Sequence, residues 1–149
     1  MGTEPRREVL MRAGFTLLEL SVSVLLLGLM AGLTVPRFLA WRDRIAVDAA
    51  AASSVALLAT ARHAAIRRAA VTAVRFDTAG AAVMVYSGRD TIEQRPLGTV
   101  HGVRLATTRD SIAFGPAGLG YGAANTRLVI TRGAAAETVT VSRLGRARR

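Results

Sequence analysis

Phe15–Val35, FTLLELSVSVLLLGLMAGLTV, is a predominantly apolar stretch in which Glu19 is the one ionisable side chain. As an α-helix that rises about 1.5 Å per residue, this stretch would extend about 31 Å. The hydrocarbon core of a bilayer has about that thickness, so we expect a membrane-spanning helix. A polar leader precedes it and ends in Gly14.

Glu19 is an unusual residue for such a helix, because a carboxylate near the bilayer centre costs about 2.5–3.5 kcal/mol. One interpretation places Glu19 near the lipid headgroups, where this free energy is small. The other follows from a cut after Gly14, which would leave a new α-amino group on Phe15. That amine is cationic at neutral pH, and the Glu19 of an adjacent chain could pair with it.

Two glycines and a proline mark the end of the apolar stretch. Gly28 and Gly32 have the G-x-x-x-G spacing that lets membrane helices approach closely, although glycine is common in membrane helices generally. Pro36 removes a backbone donor and tends to kink a helix. We expect all three residues to take part in subunit packing.

Residues 37–70 repeat apolar side chains every three or four positions, which is typical of an amphipathic helix with one buried face. Because most of these side chains are small, we expect the stripe to pack closely against a sheet. Trp41 either belongs to this stripe or anchors the chain at the membrane interface. The stripe consists of Phe38, Trp41, Ile45, Ala49, Ala52, Ala56, Ala59, Ile66 and Ala70.

After Ala70 the apolar period changes to two, which predicts strands. Helix followed by strands without alternation predicts an α+β fold with antiparallel pairing. The glycine-rich stretch 115–122 lacks the Gly-Lys-Ser/Thr ending of a phosphate-binding loop, and we expect a mobile connection there. The predicted strands are Val71–Phe76, Ala81–Tyr86, Val100–Thr107, Ser111–Phe114, Arg127–Thr131 and Thr138–Ser142.

The composition excludes several kinds of site. The 149 residues carry 20 basic side chains, all arginine, against 10 acidic ones, for a formal net charge of +10. The sequence has no cysteine, which excludes a disulfide framework, a thiolate metal site and a cysteine nucleophile. His63 and His101 do not by themselves make a tight zinc site. We therefore expect neither enzymatic activity nor a cofactor.

The segment Gly14–Glu19, GFTLLE, resembles the cleavage and methylation signature of type IV pilins and type II secretion pseudopilins. The resemblance implies that a prepilin peptidase cuts after Gly14 and methylates Phe15. It also implies that Glu19 then contacts the amino terminus of a neighbouring subunit. The implied fold is pilin-like: a long N-terminal helix, half membrane-spanning and half amphipathic, packs on an antiparallel β head.

This resemblance divides the chain into four segments. They are a leader over 1–14, a transmembrane and assembly helix over 15–36, an amphipathic stem over 37–70, and a β-rich head with a basic tail over 71–149. The leader is expected in the cytoplasm and the head in the periplasm, with one pass through the bacterial inner membrane. The implied partners are other pilin subunits, a prepilin peptidase and membrane lipid.

Three further stretches resemble minor subunits of the GspH and FimT type. They are 61–67 (ARHAAIR), 112–118 (IAFGPAG) and 139–146 (VTVSRLGR). Minor subunits of this kind help to initiate or cap a short filament. The resemblance therefore implies a minor pilin or pseudopilin rather than the bulk component.

Two functions fit this resemblance. The first is structural: a pseudopilin, similar to type II secretion protein H, in the periplasmic pseudopilus that moves secreted exoproteins. The second is DNA binding during natural transformation, since minor pilins of the FimT type carry a similar C-terminal G-R-x-R pattern. Arginines on a flexible tail could contact the phosphates of duplex DNA without reading bases. The candidate DNA-binding residues are Arg143, Gly145, Arg146, Arg148 and Arg149.

Overall fold

A computed structural model describes residues 14–121 and 126–149. Contacts divide the chain into two units, one ending at Arg37 and the other spanning Phe38–Arg149. Apart from Gly14, the predicted leader lies outside the described residues, as does the end of the glycine-rich stretch at Gly122.

The first helix, α1 (Leu17–Arg68), begins after Thr16, whose side chain caps it. Thr16 Oγ1 accepts a hydrogen bond from the backbone N–H of Glu19 at 3.1 Å, and the Thr16 carbonyl accepts the N–H of Leu20 at 3.1 Å. Pro36 lies inside α1. Because proline has no N–H, it cannot donate the usual helical hydrogen bond, yet the helix does not end there.

Among the described residues, α1 is the one helix long and apolar enough to cross a membrane. Its large apolar side chains up to Val35 are exposed, from 46% at Val22 to 86% at Leu17. A surface this apolar requires lipid or protein around it.

In the second unit, α1 buries a different face from the predicted one. Of the predicted stripe, Ala49 and Ala70 are half-buried and every other member is exposed, so the prediction that this stripe packs on the sheet is wrong. Alanine suits either side of a helix, and in an alanine-rich segment the few large side chains decide which face is buried. Here Leu57 and Leu58 decide it. The buried positions are Val47, Ala50, Ala51, Ser54, Leu57, Leu58, Ala61, Ala64 and Ala65.

Nine strands in the described residues form two antiparallel sheets. The first has the order β3-β2-β1-β5-β6 and the second β4-β7-β8-β9, and a short helix, α2 (Leu97–His101), joins β3 to β4. The strands are β1 (Thr72–Asp77), β2 (Ala82–Ser87), β3 (Asp90–Pro96), β4 (Arg104–Thr107), β5 (Ser111–Phe114), β6 (Gly120–Tyr121), β7 (Thr126–Arg132), β8 (Ala135–Val141) and β9 (Ala147–Arg148). The predicted α+β class with antiparallel pairing is confirmed.

Three local predictions are wrong. Val100–Thr107 is not one strand, because α2 continues to His101 and ends at Gly102, whose backbone is left-handed (φ 65°). The glycine-rich stretch contains a closed turn, in which Gly115 N–H donates to the Leu119 carbonyl at 2.8 Å, followed by β6. The basic tail forms β9 and pairs with β8.

One hydrophobic cluster joins α1 to both sheets. Leu57 of α1, Phe114 of the first sheet and Ile130 of the second are each at most 2% exposed. Two buried hydroxyls, on Thr72 and Thr126, have no hydrogen-bond partner within the described ranges.

Candidate functional site

The predicted processing site lies at the start of the described chain. Phe15 is 79% exposed, and a Cβ on Gly14 would meet nothing within 4 Å. Both residues precede the helix. The peptide bond between them therefore lies outside α1.

Glu19 lies in the first turn of α1 and is exposed. Its negative charge is favourable at a helix N-terminus, where the backbone N–H groups are unpaired. Sequence reasoning missed the part played by Thr16. The pattern Thr16-x-x-Glu19 immediately before an apolar run is the capping-box signature, and it could have identified the cap.

Gly28 and Gly32 also lie exposed on α1. A Cβ at either position would meet nothing within 4 Å. Nothing in residues 14–121 and 126–149 therefore requires glycine at these positions. A packing role for them depends on a neighbouring subunit.

The exposed side of the stem carries an apolar repeat of seven residues, which we call the stem stripe: Phe38, Ile45, Ala52, Ala59 and Ile66, each exposed. Phe38 is 57%, Ile45 47% and Ile66 48% exposed. Trp41 lies beside the stripe, with its ring centroid 5.9 Å from that of Phe38. A strict seven-residue repeat keeps one face towards a partner helix in a left-handed supercoil.

The C-terminal segment forms a tight hairpin. Ser142 N–H donates to the Arg146 carbonyl at 2.9 Å, and Gly145 N–H donates back to the Ser142 carbonyl at 2.9 Å. Gly145 has a left-handed φ of 72°, and a Cβ there would lie 2.9 Å from the Phe114 ring. The glycine of the G-R-x-R pattern therefore makes the turn that leads into β9, with Arg146 directly before that strand and Arg148 on it.

An open groove of about 270 Å³ lies between the C-terminal hairpin and the stem, and we call it the stem–tail groove. Arg149 fixes the end of the tail, because its Nη1 donates to the Asp48 carbonyl on α1 at 3.2 Å. The groove is lined by Val55, Leu58, Ala59, Arg62, His63, Gly145, Arg146, Ala147 and Arg148.

A salt bridge joins the N-terminal part of the stem to the head. Arg132 Nε lies 2.9 Å from Asp43 Oδ1, and Arg132 Nη1 donates to the His101 carbonyl at the end of α2. Both side chains are largely buried, at 25% and 20% exposure. Gly102 and Gly133 lie beside this ion pair. A Cβ on Gly102 would crowd the Arg132 side chain, and a Cβ on Gly133 would clash with the Asp43 carboxylate.

The described residues contain no group of three His, Asp or Glu side chains placed to hold a metal ion. His63 is exposed beside the groove, and His101 contributes its backbone carbonyl to Arg132. The stem stripe and the stem–tail groove present apolar and basic side chains.

Residues 50–145 match the family described as type II transport protein GspH, which is more than half of the chain. A search of curated proteins gives no match. The fold is similar to that of the type IV minor pilin FimU of Pseudomonas aeruginosa in two crystal forms. The P21 form has a TM-score of 0.59 at 12% identity, covering 68% of this chain and 86% of that one. The P65 form has a TM-score of 0.57 at 13% identity, covering 68% and 90%.

The matched residues begin within the stem, so the GFTLLE signature lies outside them. The signature and the family match are therefore separate observations that agree. Both the family and the fold are those of structural pilin subunits, which are not enzymes and which assemble with other pilin subunits in a filament. The chain belongs to the GspH family and has the fold of a minor pilin.

Proposed function

We propose that this chain is a minor pseudopilin of a type II secretion filament, processed after Gly14 and held in the inner membrane by α1 until it assembles. The family description supports the secretion role. The apolar helix near the N-terminus supports membrane anchoring. Methylation of Phe15 and pairing of its amine with the Glu19 of a neighbour would follow cleavage.

The observation that carries the filament role is the stem stripe. Its apolar side chains face away from the core, and its spacing suits helix-on-helix packing. The alanines at its centre allow close approach of a second helix, while Phe38 and Ile66 bring larger contact areas at its two ends. We expect this face of the folded chain to pack against helices of neighbouring subunits.

Substitution of Ala52 by Glu tests this role. Ala52 is exposed, so Ala52→Glu should fold, but a carboxylate buried between helices costs several kcal/mol without a partner. We expect the amount of chain recovered with sheared filaments to fall at least about tenfold. Ala106→Glu, at an exposed position on β4, is the matched control and should be recovered like the wild type. Equal recovery of all three chains would contradict the proposal.

The secretion role has its own test in cells that lack the chain. Export of folded exoproteins should fall in these cells and return when the wild-type chain is supplied. Unchanged export combined with lost DNA uptake would assign the chain to a type IV pilus instead.

A second candidate function is duplex DNA binding, and the C-terminal hairpin favours it. This hairpin brings Arg146 and Arg148 to the same groove as Arg62. If the four arginines after Glu137 engage phosphates, affinity should fall with salt at a logarithmic slope of about −3.6. Changing Arg146 and Arg148 to Ala should reduce the magnitude of that slope by about 1.8. An unaltered slope for the full chain in detergent would exclude the tail from DNA binding.

A further inference from the structure

The stem–tail groove has an apolar floor and a basic rim. Leu58 is buried at its base, with Val55 half-buried and Ala59 exposed beside it. Arg62 and His63 of α1 form one side of the rim, and Arg146 and Arg148 of the C-terminal hairpin form the other.

The rim carries uncompensated positive charge. Among the residues that the structure describes, no acidic side chain lines the groove. In the described part of the chain, the salt bridges join Arg95 to Glu93 and Arg132 to Asp43, and neither involves a rim residue. Arginine without a carboxylate partner at the border of an apolar floor is well suited to an acidic ligand with apolar side chains.

β9 is also an edge strand. Because Arg146 is hydrogen-bonded to Ser142 and Arg148 lies opposite Thr140, the alternation of an antiparallel ladder turns the N–H and C=O of Ala147 away from β8. These backbone groups can pair with an added strand. An extended segment laid there would have its side chains alternately over the apolar floor and towards the arginines.

From this arrangement we infer that the stem–tail groove binds an extended acidic segment of a neighbouring filament subunit. The segment would alternate acidic with apolar residues and would add to the free edge of β9. This inference rests on the proposed filament role. A neighbouring subunit is the expected source because Ala59 belongs both to the groove and to the stem stripe, so one contact surface continues into the other.

The groove suits a peptide better than a nucleic acid. Its lining within the described ranges contains no aromatic side chain, so these residues offer no platform on which bases could stack. A duplex presents phosphates to arginines but has no apolar side chains for the floor formed by Val55, Leu58 and Ala59.

Peptide binding to the full chain in detergent tests the groove. The probe is a fluorescent peptide of alternating Glu and Val, and the variants are Arg62→Gln and the double substitution Arg146→Gln with Arg148→Gln. We expect the double variant to weaken binding about tenfold. The control removes the same charge elsewhere, by Arg89→Gln with Arg104→Gln at two exposed positions, and should change binding less than about twofold.

Three results would overturn the inference at this stage. The first is no binding of the Glu/Val peptide by the wild type. The second is equal binding of a Gln/Val peptide. The third is an equal loss in the groove and control variants, which would mean that only net charge matters. Duplex DNA that binds while the peptide does not would assign the groove to nucleic acid.

Photo-crosslinking in cells that assemble filaments identifies the occupant. A photoreactive amino acid in place of Ala59 should join the chain to a subunit of the same filament, within a segment that contains at least two acidic residues. The same group in place of Ala106 should not. Assembly into filaments without such an adduct would overturn this inference and leave the filament role standing, whereas absence from filaments would refute both.

Discussion

The hydroxyl oxygen of Thr16 accepts a hydrogen bond from the backbone N–H of Glu19 at 3.1 Å. The signature GFTLLE therefore contains a helix cap as well as the proposed processing site. Glu19 thereby has two separable properties. Its length and acceptor oxygens suit the capping box, where glutamine serves equally well, and its negative charge suits a neighbouring amine.

Glu19→Gln and Glu19→Ala distinguish these properties. If the charge is required, both variants should be depleted from filaments about equally, because neither can pair with the amine of a cleaved neighbour. Co-purification with sheared filaments is the measurement, with equal expression in membranes as its control. Wild-type incorporation of Glu19→Gln would show that capping, and not charge pairing, is what Glu19 contributes.

Gly145 illustrates how one residue fixes the tail. Gly145→Ala should lower the free energy of unfolding by about 1–3 kcal/mol, since φ is 72° and the new Cβ would lie 2.9 Å from Phe114 and 3.2 Å from the Gly118 carbonyl. Gly88→Ala is the matched control, with φ 62° and open space around it, and should cost about 1 kcal/mol. Equal losses in chemical denaturation would mean that the contact with Phe114 is unimportant.

At the scale of elements, the sequence predicted those whose apolar period is clear. β5 has the predicted bounds Ser111–Phe114, because it alternates Ile112 and Phe114 inwards. β9 was missed, since a two-residue strand between arginines has no period to detect. The prediction of which face of the stem is buried was wrong, because alanine occurs on both buried and exposed faces of helices.

The sequence predicted which residues belong to the candidate sites, but it did not predict which of them the fold brings together. Gly14, Phe15 and Glu19 follow from a local motif, which needs no tertiary information. The stem–tail groove brings Arg62 beside Arg146 and Arg148, which are separated from it by more than eighty positions. Only the pairing of β9 with β8 establishes that proximity.

The salt bridge between Asp43 and Arg132 joins α1 to the end of β7. A double-mutant cycle with Asp43→Asn and Arg132→Gln should give a coupling of about 1 kcal/mol, because both side chains are only partly exposed. Arg132→Gln alone should destabilise more than Asp43→Asn, since it also removes the donor to the His101 carbonyl. Thermal unfolding of the full chain in detergent measures both effects, and additive losses would show that the pair is not coupled.

At the scale of the whole molecule, the chain exposes apolar surface in each of its two units. In the first unit the side chains from Phe15 to Val35 are exposed, and in the second the stem stripe is. Such surfaces are stable in lipid or against other subunits, and a filament subunit passes from one to the other. Under the proposed function, cleavage after Gly14 precedes assembly.

The most direct measurement is the intact mass of the chain recovered from purified filaments, made in cells that contain the matching prepilin peptidase. We expect a chain that begins at Phe15 and carries one added methyl group. Recovery of a chain that still carries its first fourteen residues would contradict it, and so would its complete absence from the filaments.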